Sequence, residues 1–254
     1  MFAKERQDQI YAMLRKDGAV TTAKLVSQFE VSIETIRRDL LQLEQAGKLR
    51  RVHGGAIPNS NTKPYPELAQ RNKEYQTQKT ELSQQAANFV CEGDILAIDS
   101  GSTAISLAQV LKERFQKLTV ITHSLDVFEI LHDHRAFSVI LCGGWFLNQE
   151  RAFHGPLTLG MLQSLHSQKA FIFASAISLK TGICDHNPQL HPIQQQLLRT
   201  ADQVFILADN SKFEKSALLK VDDMRQEYIY VTDSGLSTEL MRLYKENNIQ
   251  IITG

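Results

Sequence analysis

Cysteine is scarce and unsuitably spaced. Cys91, Cys142 and Cys184 are odd in number and form no C-x-x-C pair, which argues against a disulfide framework and against a zinc knuckle. No apolar run approaches the roughly 18 residues of a membrane-spanning helix. Lys4, Glu5, Arg6 and Asp8 near the start do not form the basic-then-apolar pattern of a secretory leader. A cytoplasmic protein with no membrane partner is expected. Net charge is missing as well, with 28 Lys and Arg against 28 Asp and Glu among 254 residues. That balance hides a polarity: residues 1–57 carry a net +3 and the remainder −3, as expected for a basic polyanion-binding head on an acidic body. The apolar content of 43% suffices for a real core.

Proline and glycine divide the chain. "IPNSNTKPYP" (57–66) is polar, contains three prolines and shows no periodicity, so it reads as a linker. The expected organisation is a small basic domain over 1–57, a linker over 58–75 and a larger domain over 76–254. Within the head, Ile10, Met13 and Leu14 have helical spacing and Gly18 is placed to stop that helix. Thr21 or Thr22 can cap a second helix carrying Leu25, Val26 and Phe29, and Ser32 a third that runs to about Ala46 before Gly47. "KLRRVHGGAI" reads as a short hairpin. Three helices followed by a basic hairpin is the layout of a winged helix-turn-helix.

At about 100° per residue, Ile33, Ile36, Leu40 and Leu43 share one face of the third helix and are expected to pack on the first two. Thr35, Arg38, Gln42 and Glu34 fall on the opposite face, with Arg37 on its flank. Such groups can hydrogen-bond base edges or phosphates. Lys48, Arg50 and Arg51 of the hairpin, with His53 just beyond, supply cations that suit phosphate contacts fixing register without reading sequence. The candidate DNA-binding residues are therefore Ser32, Thr35, Arg37, Arg38, Gln42, Lys48, Arg50, Arg51 and His53. "AVTTAKLVSQFEVSIETIRRDLLQLEQAGKLRRVHGGAI" resembles the head of the DeoR family of bacterial transcriptional regulators, through its T-I-R-R-D-L core and R-x-H-G-G wing. The resemblance implies a sequence-specific repressor of catabolic, usually sugar-utilisation, genes.

Beyond the linker, apolar runs at 95–99, 118–122, 137–142, 170–176, 204–209, 228–233 and 249–253 alternate with helical patterns such as 126–132, 192–201 and 237–247. An α/β domain with a mainly parallel sheet covered on both faces is expected, with ligands at the carboxyl ends of its strands. Polar groups collect at those ends. Gly101, Ser102 and Thr103 of "DSGST" lie at a strand-to-helix turn, where backbone N–H groups can hold a phosphate, although a plain helix cap reads equally well. Asp99, Ser124, Gly143, Gly144, Ser175, Asp209 and Lys212 occupy other strand ends, and together these ten residues form the candidate effector site. Lys212 is expected to neutralise a phosphate, and Asp99 and Asp209 to accept sugar hydroxyls. Trp145 and Phe146 either stack on a sugar or pack in the core. Cys142 reads as a small buried residue. His132 with His134, and His186 with His191, lack an evident carboxylate or cysteine partner set, so no metal and no cofactor are expected.

The resemblance extends through "IDSGST", "ITHSL", "LCGG…HGP", "KAFIFASAIS…TGI" and "ILADNSKF". It implies a sensor of phosphorylated sugars with a fold akin to ribose-5-phosphate isomerase. The departures are specific: His123 where the family often has Asn, Leu147 where it often has Arg, and Leu190 and Gln194 where it offers Glu and then Lys. A phosphosugar isomerase, the alternative function, needs a carboxylate to move a proton next to the carbonyl. Leu190 cannot do so, and only Asp185 lies nearby in sequence. Because one head makes few base contacts, a homo-oligomer is expected on operator DNA.

Overall fold

The computed structural model describes residues 3–17, 19–46, 48–52, 54–58 and 66–254. It separates into two compact units, Met1–Pro66 and Glu67–Gly254. Gly18 and Gly47, His53, and residues 59–65 of the expected linker lie outside the described residues.

In the first unit, α1 (Ala3–Asp17) leads through the two-residue strand β1 (Val20–Thr21) into α2 (Thr22–Phe29) and α3 (Ile33–Gln45). Thr21 caps α2, its hydroxyl accepting the Lys24 N–H at 3.2 Å, and Ser32 caps α3 by accepting from Thr35 N at 3.2 Å. Between the two helices Glu30 takes a left-handed conformation, φ 52°, which ends α2 and turns the chain. The hairpin β2 (Leu49–Val52) and β3 (Gly55–Pro58) follows, and β1 adds to β3 to give the antiparallel order β1-β3-β2. The turn needs its glycines: Gly54 has φ +83°, and a Cβ on Gly55 would overlap the Val20 carbonyl of the pairing strand.

Ile10, Leu14, Leu25, Ile36, Leu40, Leu43 and Leu49 form the core of this unit, each contributing about 1.5–3 kcal/mol by burial. Ile33 does not join them. Although it is in phase with Ile36 and Leu40, it opens the helix and is 47% exposed, because its side chain leans back over the cap beyond the end of the core.

The second unit opens with α4 (Leu68–Arg71) and α5 (Gln76–Ala87). Residues 67–75, assigned to the linker on composition, are thus part of this unit, with Leu68 and Arg71 buried. The chain continues through β4 (Ile95–Ile98), α6 (Ser102–Arg114), β5 (Thr119–Thr122), α7 (Leu125–Leu131) and β6 (Ser138–Leu141). A hairpin of β7 (Trp145–Leu147) and β8 (Ala152–His154) precedes α8 (Pro156–Gln163) and β9 (Ser167–Phe173). After β10 (Ala176–Ser178) and β11 (Gly182–Asp185) come α9 (His191–Arg199) and β12 (Ala201–Leu207), so Ala201 opens a strand instead of closing a helix. A 3-10 turn at Asn210–Lys212, β13 (Leu219–Asp222), β14 (Ile229–Val231), α10 (Thr238–Glu246) and β15 (Ile251–Ile252) complete it.

Seven strands form one parallel sheet in the order β15-β14-β12-β9-β4-β5-β6. Alternate residues of its central strands feed two cores. Leu96, Ile98, Phe171, Phe173, Phe205 and Leu207 pack with α5, α6 and α7. Ala97, Ala170, Ile172, Val204 and Ile206 pack on the other face with α8, α9 and α10. This two-sided burial explains why those strands are almost continuously apolar. From β4 the chain builds outward through β5 and β6, then returns to β9 and builds the other way. The order reverses between β4 and β9, and the crevice outside their carboxyl ends is where such sheets bind ligands. A smaller antiparallel sheet, β10-β11-β13, carries Asp185 at the end of β11.

Candidate effector site and DNA-binding face

Asp99 follows β4 at the point of reversal and is completely buried. One carboxylate oxygen accepts from Ser100 N at 2.7 Å and faces His123 Nε2 at 3.0 Å. The other accepts from Gln194 Nε2 at 3.0 Å. The same Gln194 nitrogen donates to Asp185 at 3.1 Å, and Ser175 Oγ donates to that Asp185 oxygen at 3.1 Å. Two carboxylates can only accept, so the Gln194 amide must turn its NH2 toward them. Its Oε1 is left buried, with no hydrogen-bond partner among the described residues. His123 is pinned from its far side, Nδ1 lying 2.9 Å from the Phe153 carbonyl of β8. That ring lies between the Phe153 carbonyl and the Asp99 carboxylate. His123 and Gln194 therefore meet on one carboxylate.

Around this centre lie charges of both signs. Gly101 caps α6, and Ser102 and Thr103 start it, both largely buried. The Arg71 guanidinium stands 3.8 Å from the position a Cβ on Gly101 would take. Lys79 of α5 is buried, and its ammonium donates to the carbonyls of Arg71 at 2.5 Å and Glu74 at 2.6 Å. Burial pulls the Lys79 pKa down to about 8, with Asp209 opposing the shift and Lys212 and Arg71 adding to it. Burial also lowers His186, which feels Asp185, Lys212 and Arg71. Glu150, in the β7–β8 turn, pairs with Arg71. Burial raises its pKa, Arg71 draws it back, and Asp185 and Asp99 raise it further. Asp209 caps the 3-10 turn that presents Lys212, accepting from Ser211 N at 3.1 Å.

Asp99, Gly101, Ser102, Thr103, Ser175, Asp209 and Lys212 thus gather at the ends of β4, β9 and β12. Ser124, Gly143 and Gly144 have local roles at the ends of β5 and β6. Ser124 caps α7 by accepting from Val127 N at 3.3 Å, and the Gly143 carbonyl accepts from Thr158 Oγ1 at 3.0 Å. A Cβ on Gly144 would overlap Thr158 and the His154 carbonyl. Trp145 is 63% exposed, edge-on to His154, so it is not a core residue. Cys142 is buried and its thiol pKa is pushed up to about 11. Arg71, Lys79 and Glu150 were not foreseen. Two cations eight residues apart in a polar stretch carry no periodic signal, and Glu150, the partner of Arg71, lies 79 residues away.

In the first unit, the Arg38 and Arg50 side chains are exposed and make no hydrogen bond or ion pair among the described residues. Their neighbours are engaged: Arg37 with Glu34 at 2.7 Å, Arg51 with Glu44 at 2.9 Å, and Lys48 over the Tyr11 ring at 5.4 Å. Gln42 accepts from Gln7 of α1, and the Ser32 and Thr35 hydroxyls bond each other at 2.9 Å. Asp39, inside the T-I-R-R-D-L core, points inward. It is 2% exposed, and Arg6 of α1 grips both its oxygens, at 2.6 and 3.3 Å, with Gln7 adding a bond at 3.1 Å.

Residues 6–62 match the DeoR-like helix-turn-helix domain, and residues 74–234 match the DeoR C terminal sensor domain. The chain belongs to the DeoR family. This DeoR-family regulator is 31% identical over 236 residues to the transcriptional repressor AccR of Agrobacterium fabrum, covering 92% of this chain and 91% of that one. It is 32% identical over 248 residues to the lactose phosphotransferase system repressor of Lactococcus lactis, covering 97% of each. Among solved structures, ribose 5-phosphate isomerase A of Methanocaldococcus jannaschii aligns over 53% of each chain, at 15% identity and a TM-score of 0.39. Among the described residues, no helix of the DeoR-family chain is long and apolar enough to cross a membrane.

Proposed function

We propose that the protein is a cytoplasmic repressor of a sugar-utilisation operon, binding its operator as a homo-oligomer and released by a phosphorylated sugar. The observation that carries this reading is a set of three cations, Lys79 with Arg71 and Lys212 in electrostatic range of it, of which Arg71 reaches Gly101, the cap of α6 at the sheet's reversal point. Cations and free backbone N–H groups at such a place suit a phosphate, and the carboxylates Asp99, Asp185 and Asp209 beside them suit hydroxyls. Relatives named as repressors of lactose phosphotransferase and aga genes support the operon class. A role without catalysis is supported by the acceptors already in use. Asp99 and Asp185 each accept from several donors of the protein itself, as suits carboxylates that hold a site in shape.

The head reads DNA through Arg38 of α3, while Arg50 in the wing holds phosphate. The test is a titration of operator complexes with sugar phosphates and the same sugars without phosphate. Lys212→Ala should lower effector affinity by about tenfold or more, since a charge-assisted bond contributes roughly 1.5–3 kcal/mol. Operator affinity should stay unchanged. Equal response to a sugar with and without its phosphate would remove the phosphate from the mechanism.

A further inference from the structure

Arg71 and Glu150 are 79 residues apart in sequence and form an ion pair in which the side chains are only 10% and 12% exposed. Each is held from behind. Lys79 fixes the backbone that carries Arg71 by donating to its carbonyl. Glu150 sits in the β7–β8 turn, whose next residue, Arg151, pairs with Asp126 and Glu129 of α7. The Glu150 carboxylate is poorly placed except for Arg71, being desolvated with Asp99 and Asp185 nearby. Arg71, in contrast, reaches the N-terminus of α6, its guanidinium 3.8 Å from where a Cβ on Gly101 would lie. A buried pair of this kind gains little net stability because both ions lose water. A phosphate brings more charge and three acceptor oxygens to the same guanidinium.

We propose that Glu150 is an internal competitor for the effector: its carboxylate occupies Arg71 in the free protein, and the effector's anionic group takes Arg71 from it. Ligand binding and the Arg71–Glu150 pair are then mutually exclusive, and exchange releases the Glu150 carboxylate in the β7–β8 turn. The change is felt at α4, the first element of the second unit along the chain, and in the hairpin that bears Trp145, the only tryptophan of the protein. This rests on the reading of an anionic effector and adds how the site is gated.

The test is a titration of the full-length protein, without DNA, with inorganic phosphate, followed by Trp145 fluorescence and by calorimetry. If the pair is closed nine-tenths of the time, removing the competitor raises apparent affinity about tenfold. Glu150→Gln should therefore bind phosphate about tenfold more tightly than wild type, and Arg71→Gln should not bind it detectably. A gain of affinity cannot come from a damaged fold, so Glu150→Gln is decisive even if Arg71→Gln is unstable. Equal or weaker binding by Glu150→Gln, with phosphate binding in wild type that Lys212→Ala reduces, overturns the competitor while leaving the anionic effector in place. If neither wild type nor Glu150→Gln binds phosphate or any sugar phosphate, the anionic effector falls and the competitor with it.

Discussion

Asp39→Ala is expected to disable the DNA-binding unit without touching a DNA-facing residue. The carboxylate is 2% exposed and Arg6 7%, and Arg6 meets both oxygens of Asp39. Removing one partner strands the other charge in the core, at a cost of about 3–5 kcal/mol. The unit spans Met1–Pro66, and at the usual 0.05–0.15 kcal/mol per residue its whole stability is about 3–10 kcal/mol. One substitution therefore removes a third or more of what holds α3 against α1. Replacing both partners with apolar residues of similar size, as in Arg6→Met with Asp39→Leu, should stay within about 1–2 kcal/mol of wild type, because no charge is then buried. Hydrogen exchange of α1 and α3 peptides in the full-length protein measures the opening free energy of each variant, and operator titration gives the functional counterpart. A coupling energy under about 1 kcal/mol in the double-mutant cycle, or an Asp39→Ala protein that keeps full α3 protection, would refute the reasoning.

Two further outcomes follow from exposure and charge. Arg38→Ala should weaken specific operator binding by about 1–3 kcal/mol with little effect on random DNA, whereas Arg50→Ala should weaken both and reduce the salt slope by about one; competition titrations at several salt concentrations separate the two. A thiol reagent at neutral pH should label one cysteine quickly, Cys91, which is exposed. Cys142 and Cys184 are buried and should react only after unfolding, burial having moved the Cys142 thiol away from its reactive thiolate form.

The parts of the fold legible in the sequence are those whose signal is local. Ser32 before a period of 3.6 residues marks α3, and the runs around Leu96, Phe171 and Phe205 mark strands buried on both faces. β7, β8, β11 and β13 have three or four residues and lie outside the long apolar runs, so the hairpin bearing Glu150 and the small sheet bearing Asp185 leave no strand signal. Ile33 has the right phase and the wrong end of the helix. The candidate site divides in the same way. Gly101, Lys212 and Asp99 are visible because strand ends are visible. Arg71 was read as linker because its role depends on Glu150 and Gly101, and Asp39 was passed over because its partner, Arg6, lies 33 residues earlier. His123 and Gln194 stood out only as departures, and their meeting on Asp99 is a property of sheet order.

The adjacency of β4 and β9 also sets an order of events during synthesis. The first unit takes all its strand partners from residues 20–58 and can close once residue 58 has left the ribosome, since β3 completes its sheet. The centre of the second sheet cannot. Residues 96–98 pair with 169–171, so β4, β5 and β6 must wait with one open edge while about 30 more residues are made, a matter of seconds at typical elongation rates. An unpaired apolar strand edge is an invitation to wrong partners, and non-local parallel pairing is intrinsically slow. The nascent chain thus passes through an interval in which a finished operator-reading module is tethered to an unfinished sensor. Misfolding lesions should concentrate in the sensor, and truncated chains that escape the ribosome would retain a folded head with no sensor to govern it.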